Sequence, residues 1–392
     1  MSMTLAGGAT TQSRGRRPLP RGAVSARTIG VRGASEAVAF VYPHGRLEYK
    51  QLLSWVGGQS GLLWGGGPFP FIQSDPDIAH GSYGHAAEYA LADALGEALD
   101  GVFTSDALSC RFFQDGGTAL AAAARVARHA TGRRSIASYG YHGAAMEWAH
   151  APALAGQPLD NAHIQFEWGD TEWLRSDSAH CAAICVEVPP VPDAEARAFL
   201  AECRAACDAG GALFILDEVV TGFRFGLQGA AGRYGVKPDI ATYGKAMSAV
   251  GCVSAIVGRR DLVDLLAEPV FYSTTFGGAP GPCGIAAATV RYLIDHAPQV
   301  YEHLDTIGAA LQDGFNALGL NCVGQPERSV LKFDTDAEWL AFCGAMIERG
   351  VMIHRPQFST LAHTLADVEL TLDYADHVTR GLPVVSLEGR TA

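Results

Sequence analysis

No apolar run in the 392 residues approaches the roughly 20 needed to span a bilayer, so no membrane partner is expected. The chain also lacks any Cys-x-x-Cys pair. Its nine cysteines are an odd number. Cys181/Cys185 straddles a predicted strand and Cys203/Cys207 a predicted helix, and neither pair has histidines at zinc-finger spacing. Free thiols in a reducing cytoplasm are therefore expected, and no metal site. Positive charge is in deficit: 29 Lys and Arg against 41 Asp and Glu give a net charge of −12, which argues against nucleic acid as the main partner. Residues 1–35 lack acids altogether, the first being Glu36, while six arginines fall there. An Arg- and Ser-rich, acid-poor start imitates an organelle transit peptide, but Pro18 and Pro20 interrupt the pattern. A flexible arm over 1–35 is the expectation. There is no internal repeat.

What is present is an ordinary globular composition, 48% hydrophobic and 18% charged, at a length that exceeds one hydrophobic core. The stretch from Ala212 to Ser248 organises it. The apolar run Ala212–Leu216 reads as a buried parallel strand that delivers Asp217 and Glu218 to its carboxyl end, where open α/β sheets place their ligands. A second strand, Ile240–Tyr243, delivers Gly244 and Lys245. A lysine amine and a carboxylate at neighbouring strand ends suit a cofactor held as an imine, whose pyridine nitrogen the carboxylate keeps protonated. For a lone Asp and Lys, a structural ion pair is the competing reading.

The longer pattern is more specific. LDEVVTGFR, then YGVKPDIATYGKAMS, then VSAIVGRRDL resembles the pyridoxal-phosphate enzymes of the class III aminotransferase family, in particular the glutamate-1-semialdehyde aminomutase branch. The resemblance runs from about Pro20 and is strongest over 212–262 and 349–374. It implies an α/β fold, the pyridoxal-phosphate-dependent transferase fold type I, with a mainly parallel central sheet in a large domain and a small α+β domain. The expected division is an arm at 1–35, a first part of the small domain at 36–80, the large domain at 81–295 and the rest of the small domain at 296–392. It further implies that Lys245 is the Schiff-base lysine and Asp217 the pyridinium partner, with Val219 packed on the cofactor ring.

Other residues take their expected roles from the same resemblance. Asp115-Gly116-Gly117-Thr118-Ala119-Leu120 follows a predicted strand at Cys110–Phe113 and opens a helix, where free amides and the helix dipole attract anions. It stands where the family has Asn-Ser-Gly-Thr-Glu-Ala, so Gly116, Gly117 and Thr118 are the expected phosphate holders. The lost serine and glutamate, and the acid at Asp115, are departures. Tyr141 of Tyr141-His142-Gly143 would stack on the ring, with His142 in a positioning role, and Glu187 keeps the position of a family glutamate although the run Val188–Pro192 departs. Thr275, in Thr275-Phe276-Gly277-Gly278, implies a homodimer in which each subunit reaches its neighbour's phosphate. Arg27 is the candidate for a substrate carboxylate and Trp55 for a pocket wall, each weighed against an ordinary solvated or core residue.

The chemistry implied is amino transfer between an amino donor and a small oxo substrate. An aminomutase of the glutamate-1-semialdehyde type and an epimerase are alternatives, because Lys245 and Asp217 serve them and amino transfer alike; the altered Asp115–Leu120 loop adds a degenerate cofactor-binding protein. Changes gathered at the substrate side, in the Gly66–Phe71 loop, the Val188–Pro192 run and a shortened Asn321–Phe342 segment, favour a substrate other than the aminomutase's.

Overall fold

The computed structural model describes residues 4–5, 28–32, 35–41, 47–55, 86–143, 162–249 and 252–381. Two compact units divide the chain, with a boundary between Glu302 and His303. Among the described residues the small unit comprises 4–55 and 303–381, and the large unit 86–302.

The small unit begins with strands β1 (Thr4–Leu5), β2 (Thr28–Arg32), β3 (Ser35–Val41) and β4 (Leu47–Ser54). β1 and β2 both pair antiparallel with β3, so the stretch expected to be a flexible arm is structured at these two points. Thr28-Ile-Gly-Val carries the β-branched residues that suit a pleated surface. β3 and β4 form an antiparallel pair; residues 42–46 between them lie outside the described residues, as does Arg27.

In the large unit, helix α1 (Ala86–Ala98) leads into β5 (Leu108–Phe113), which feeds helix α2 (Gly116–Thr131). The chain continues through β6 (Ile136–Tyr139), β7 (His163–Gln165), α3 (Thr171–Ser176), β8 (Ala183–Glu187) and α4 (Asp193–Gly210). β9 (Leu213–Glu218), α5 (Gly229–Tyr234), β10 (Ile240–Tyr243), β11 (Ser254–Arg259) and the short α6 (Arg260–Val263) complete the sheet region. The sheet order is β5-β11-β10-β9-β8-β6-β7. β6 to β10 are mutually parallel, β11 is antiparallel to β10, and β5 is antiparallel to β11. Two reversals restore the direction, so β5, β6, β8, β9 and β10 all present their carboxyl ends along one edge.

Burial explains this order. Every residue of β8 and β10 is buried, as a strand covered on both faces requires. α2 lies against β8 to β11, and its inner face is Ala119, Leu120, Ala122, Ala123, Val126 and Ala127. Small alanines let the helix approach Ile215, Ile240 and Ile256 closely. Each such isoleucine, fully buried, contributes about 1.5–3 kcal/mol.

Helix α7 (Pro280–Ala317) carries the chain past the boundary and is kinked at His296, two residues before Pro298. In the small unit follow β12 (Asn321–Gln325), β13 (Arg328–Lys332), α8 (Asp336–Glu348), β14 (Val351–Met352), β15 (Pro356–Phe358) and α9 (Leu365–Thr379). Capping boxes, Thr335 with Glu338 and Thr364 with Asp367, start α8 and α9. β15 ends at Phe358. There the chain turns, with the Thr360 amide donating to His363 Nδ1 at 3.1 Å and His363 Nε2 donating to Ser54 O at 2.9 Å. That arrangement keeps His363 neutral, and burial lowers its pKa to about 4.

All nine cysteines are free thiols. Burial pushes Cys203 and Cys343 up to about 12, which leaves them inert at neutral pH.

Candidate active site

Asp217 is the penultimate residue of β9 and only 2% exposed. Burying a carboxylate is costly unless it is paired and hydrogen-bonded, and here it has three partners. His142 Nδ1 lies 2.7 Å from Oδ2, the Val219 amide donates to Oδ1 at 3.0 Å, and Thr242 Oγ1 approaches Oδ1 at 3.4 Å from β10. Burial alone would lower the His142 pKa, but the neighbouring Cys185 and the hydrogen bond to Asp217 outweigh it and hold it raised. The imidazole therefore donates to Asp217, and the carboxylate keeps a fixed orientation toward the strand edge.

Lys245 enters from the adjacent strand. Register pairs Thr242 with Asp217 and Tyr243 with Glu218, so the Gly244-Lys245 turn begins where β9 ends. Lys245 opens a short 3-10 turn with φ of +44°, a left-handed conformation that costs a non-glycine residue on the order of 1 kcal/mol or more. Val219 lies between two turns of the edge: its Cγ1 is 3.6 Å from where a Gly244 Cβ would stand, and its Cγ2 is 2.7 Å from the corresponding point at Gly116.

Gly116, Gly117 and Thr118 form the first turn of α2, three residues ahead of the helix start that the alanine run from Ala119 implies. Asp115 is the N-cap residue: its carboxylate accepts the Thr118 amide at 2.8 Å and the Thr118 hydroxyl at 2.8 Å. The amides of Gly116 and Gly117 take no hydrogen bond among the described residues. Ser254 Oγ donates to Asp115 O at 2.6 Å and pins the loop's backbone. Two residues past β6, Tyr141 is 58% exposed, and its amide donates to Glu187 Oε2 at 3.0 Å. Thr275 is exposed; two residues on, Gly277 lies so close to Phe112 of β5 that a Cβ there would sit 2.4 Å from the Phe112 carbonyl oxygen.

Gly116, Gly117, Thr118, Tyr141, Glu187, Asp217, Val219 and Lys245 thus share one edge of the large unit's sheet. Trp55 belongs to the small unit's core: it is fully buried, stacks on His363 with ring centroids 3.8 Å apart, and donates Nε1–H to Thr371 Oγ1 at 2.9 Å. One ring face and the Nε1–H donor are both engaged there. Three features went unread in the sequence. The Asp115 cap was readable, since an Asp three residues before Thr at a helix start is an N-cap pattern. The His142–Asp217 and Ser254–Asp115 contacts, which join residues 75 and 139 apart, left no local signal. Glu218 is the third: fully buried, it accepts hydrogen bonds from Thr221 Oγ1 and the amides of Ala230 (3.0 Å) and Ala231 (2.8 Å), and burial raises its pKa to about 7.

A family model described as "Aminotransferase class-III" matches residues 175–329. The glutamate-1-semialdehyde 2,1-aminomutase of Methanoculleus marisnigri is 34% identical over 318 residues, covering 69% of this chain and 75% of the relative. An omega-transaminase from Sphaerobacter thermophilus shares the fold at a TM-score of 0.73 and 21% identity, covering 90% of each chain. A solved transaminase with PLP bound gives 0.74 at 19% identity, covering 91% of this chain and 90% of its own. The chain belongs to the class-III aminotransferase family, an enzyme family dependent on pyridoxal 5′-phosphate, and it has the fold type I architecture.

The residues present fit that cofactor on three counts. A buried carboxylate oriented by a histidine suits a pyridinium nitrogen, a lysine opens the next strand's turn, and two first-turn amides remain for a phosphate. One feature opposes it, because the Asp115 carboxylate already holds both Thr118 donors.

Proposed function

We propose that the chain is an aminotransferase that moves an amino group between an amino donor and a small oxo substrate, with Lys245 and Asp217 as its catalytic residues. The observation that carries this reading is Asp217, 2% exposed and held at 2.7 Å by His142, on the strand register that leads into Gly244-Lys245. The cofactor, when bound, supplies the electron sink that lets an amino-bearing carbon lose its proton. Lys245 binds it covalently through Nζ, and once released the same amine accepts and returns that proton. Asp217 holds a proton on the pyridine nitrogen, and His142 fixes the carboxylate in place. Gly116, Gly117 and Thr118 hold the phosphate, Val219 packs on one ring face and Tyr141 covers the ring. Glu187 positions Tyr141 through its backbone amide. Thr275 reaches a neighbouring subunit's phosphate, so the working species is a homodimer; a fully active monomer by light scattering would refute that.

The second reading, an intramolecular amino shift, is favoured by the relatives' printed name. A half-reaction screen separates the two. Amino acid donors are added one at a time to the yellow holoenzyme, and loss of its visible band is followed. The aminotransferase reading predicts discharge by at least one donor without a second substrate. If none discharges it while glutamate-1-semialdehyde alone is rearranged, the mutase reading stands.

A further inference from the structure

The first turn of α2 offers four donors to an anion: the amides of Gly116, Gly117 and Thr118, and the Thr118 hydroxyl. Asp115 occupies the last two, each at 2.8 Å. No side chain at 116 can add a fifth, because a Cβ there would meet Val219 Cγ2 at 2.7 Å and Cγ1 at 2.9 Å. The Asp115 carbonyl is tied to Ser254 Oγ at 2.6 Å and to the Ala119 amide at 3.2 Å, so the backbone is held and only the carboxylate is free to move. The Asp115 side chain is exposed, which makes rotation into water the low-cost response.

We propose that Asp115 is an internal competitor for the phosphate subsite, a carboxylate that must rotate off Thr118 before a phosphorylated cofactor can seat. This rests on the cofactor reading above and sharpens it. A dianion beside an ionised carboxylate is repelled, whereas the unphosphorylated aldehyde meets no such penalty. The chain therefore gains less from the phosphate group than its fold allows, and Asp115 sets how firmly the cofactor is retained.

Asp115→Asn tests this with little risk to folding, since asparagine caps helices about as well as aspartate. Affinities for pyridoxal 5′-phosphate and for pyridoxal are measured on wild type and variant by equilibrium dialysis, and far-UV circular dichroism with thermal melting checks the fold. The expected result is an increase of about tenfold or more in affinity for the phosphorylated compound, about 1.4 kcal/mol, with pyridoxal affinity unchanged. Equal changes for the two compounds, or none for the phosphorylated one, overturn the proposal. If neither compound binds either protein, the cofactor reading itself falls, and this inference with it.

Discussion

Glu218 sits one residue beyond Asp217 and does a different job. Its carboxylate caps the start of α5 through Ala230 and Ala231, in complete burial. Burial raises its folded pKa from 4.5 to about 7, so between those values the folded chain binds more protons than the unfolded chain. Stability from this group is present below about pH 4.5 and is lost as pH rises toward 7. His363 acts oppositely: burial lowers it from 6.5 to about 4, so its contribution is present above pH 6.5 and is lost as pH falls. The two slopes offset in the wild type, and the useful quantity is a difference. Glu218→Gln should gain on wild type by roughly 3 kcal/mol in total between pH 4.5 and 7. Urea unfolding at several pH values measures it, and a difference that stays flat across this window contradicts the assignment. Asp217 and Glu218 were adjacent acids in the sequence and equally plausible as ligands there. The family resemblance singled out Asp217, and the fold gives the physical reason, placing His142 against one and a helix start against the other.

At the scale of elements, close packing decides what a residue is for. Gly308 on α7 faces the turn between β12 and β13 so closely that a Cβ would stand 2.0 Å from Pro326 O and 2.3 Å from its carbonyl carbon. Backbone atoms cannot yield as a side-chain tip does. Gly308→Ala should therefore destabilise the protein by about 3 kcal/mol through overpacking. Gly344, on α8, has nothing within 4 Å of the same point. Gly344→Ala should instead stabilise by about 0.5–1 kcal/mol, because alanine suits a helix interior better. Thermal melts of both variants check this, and the same sign of shift in the two would contradict it. The strands β8, β9 and β10 were legible because short apolar runs flanked by turn residues can be read locally. The end of β15 was not, because the His363 contact to Ser54 crosses 309 residues. The surroundings of Trp55 were hidden for a related reason: the sequence carries no mark of the His363 ring stacked on it.

For the molecule as a whole, the proposed function requires the sheet edge of the large unit to hold pyridoxal phosphate through one lysine. The family and the fold were readable from the sequence because the β9 to β11 stretch keeps its pattern. The phosphate loop's inner workings were not, since the Asp115 cap on Thr118 is a matter of which donor a carboxylate finds. The chain has four lysines, Lys50, Lys237, Lys245 and Lys332, which makes the covalent site simple to locate. Protein loaded with the cofactor is reduced with borohydride, digested and mapped by mass spectrometry. A single pyridoxyl adduct is expected on Lys245, absent from a Lys245→Ala variant that still melts cooperatively. An adduct on Lys50, Lys237 or Lys332 in its place, or none on folded protein supplied with the cofactor, would contradict it.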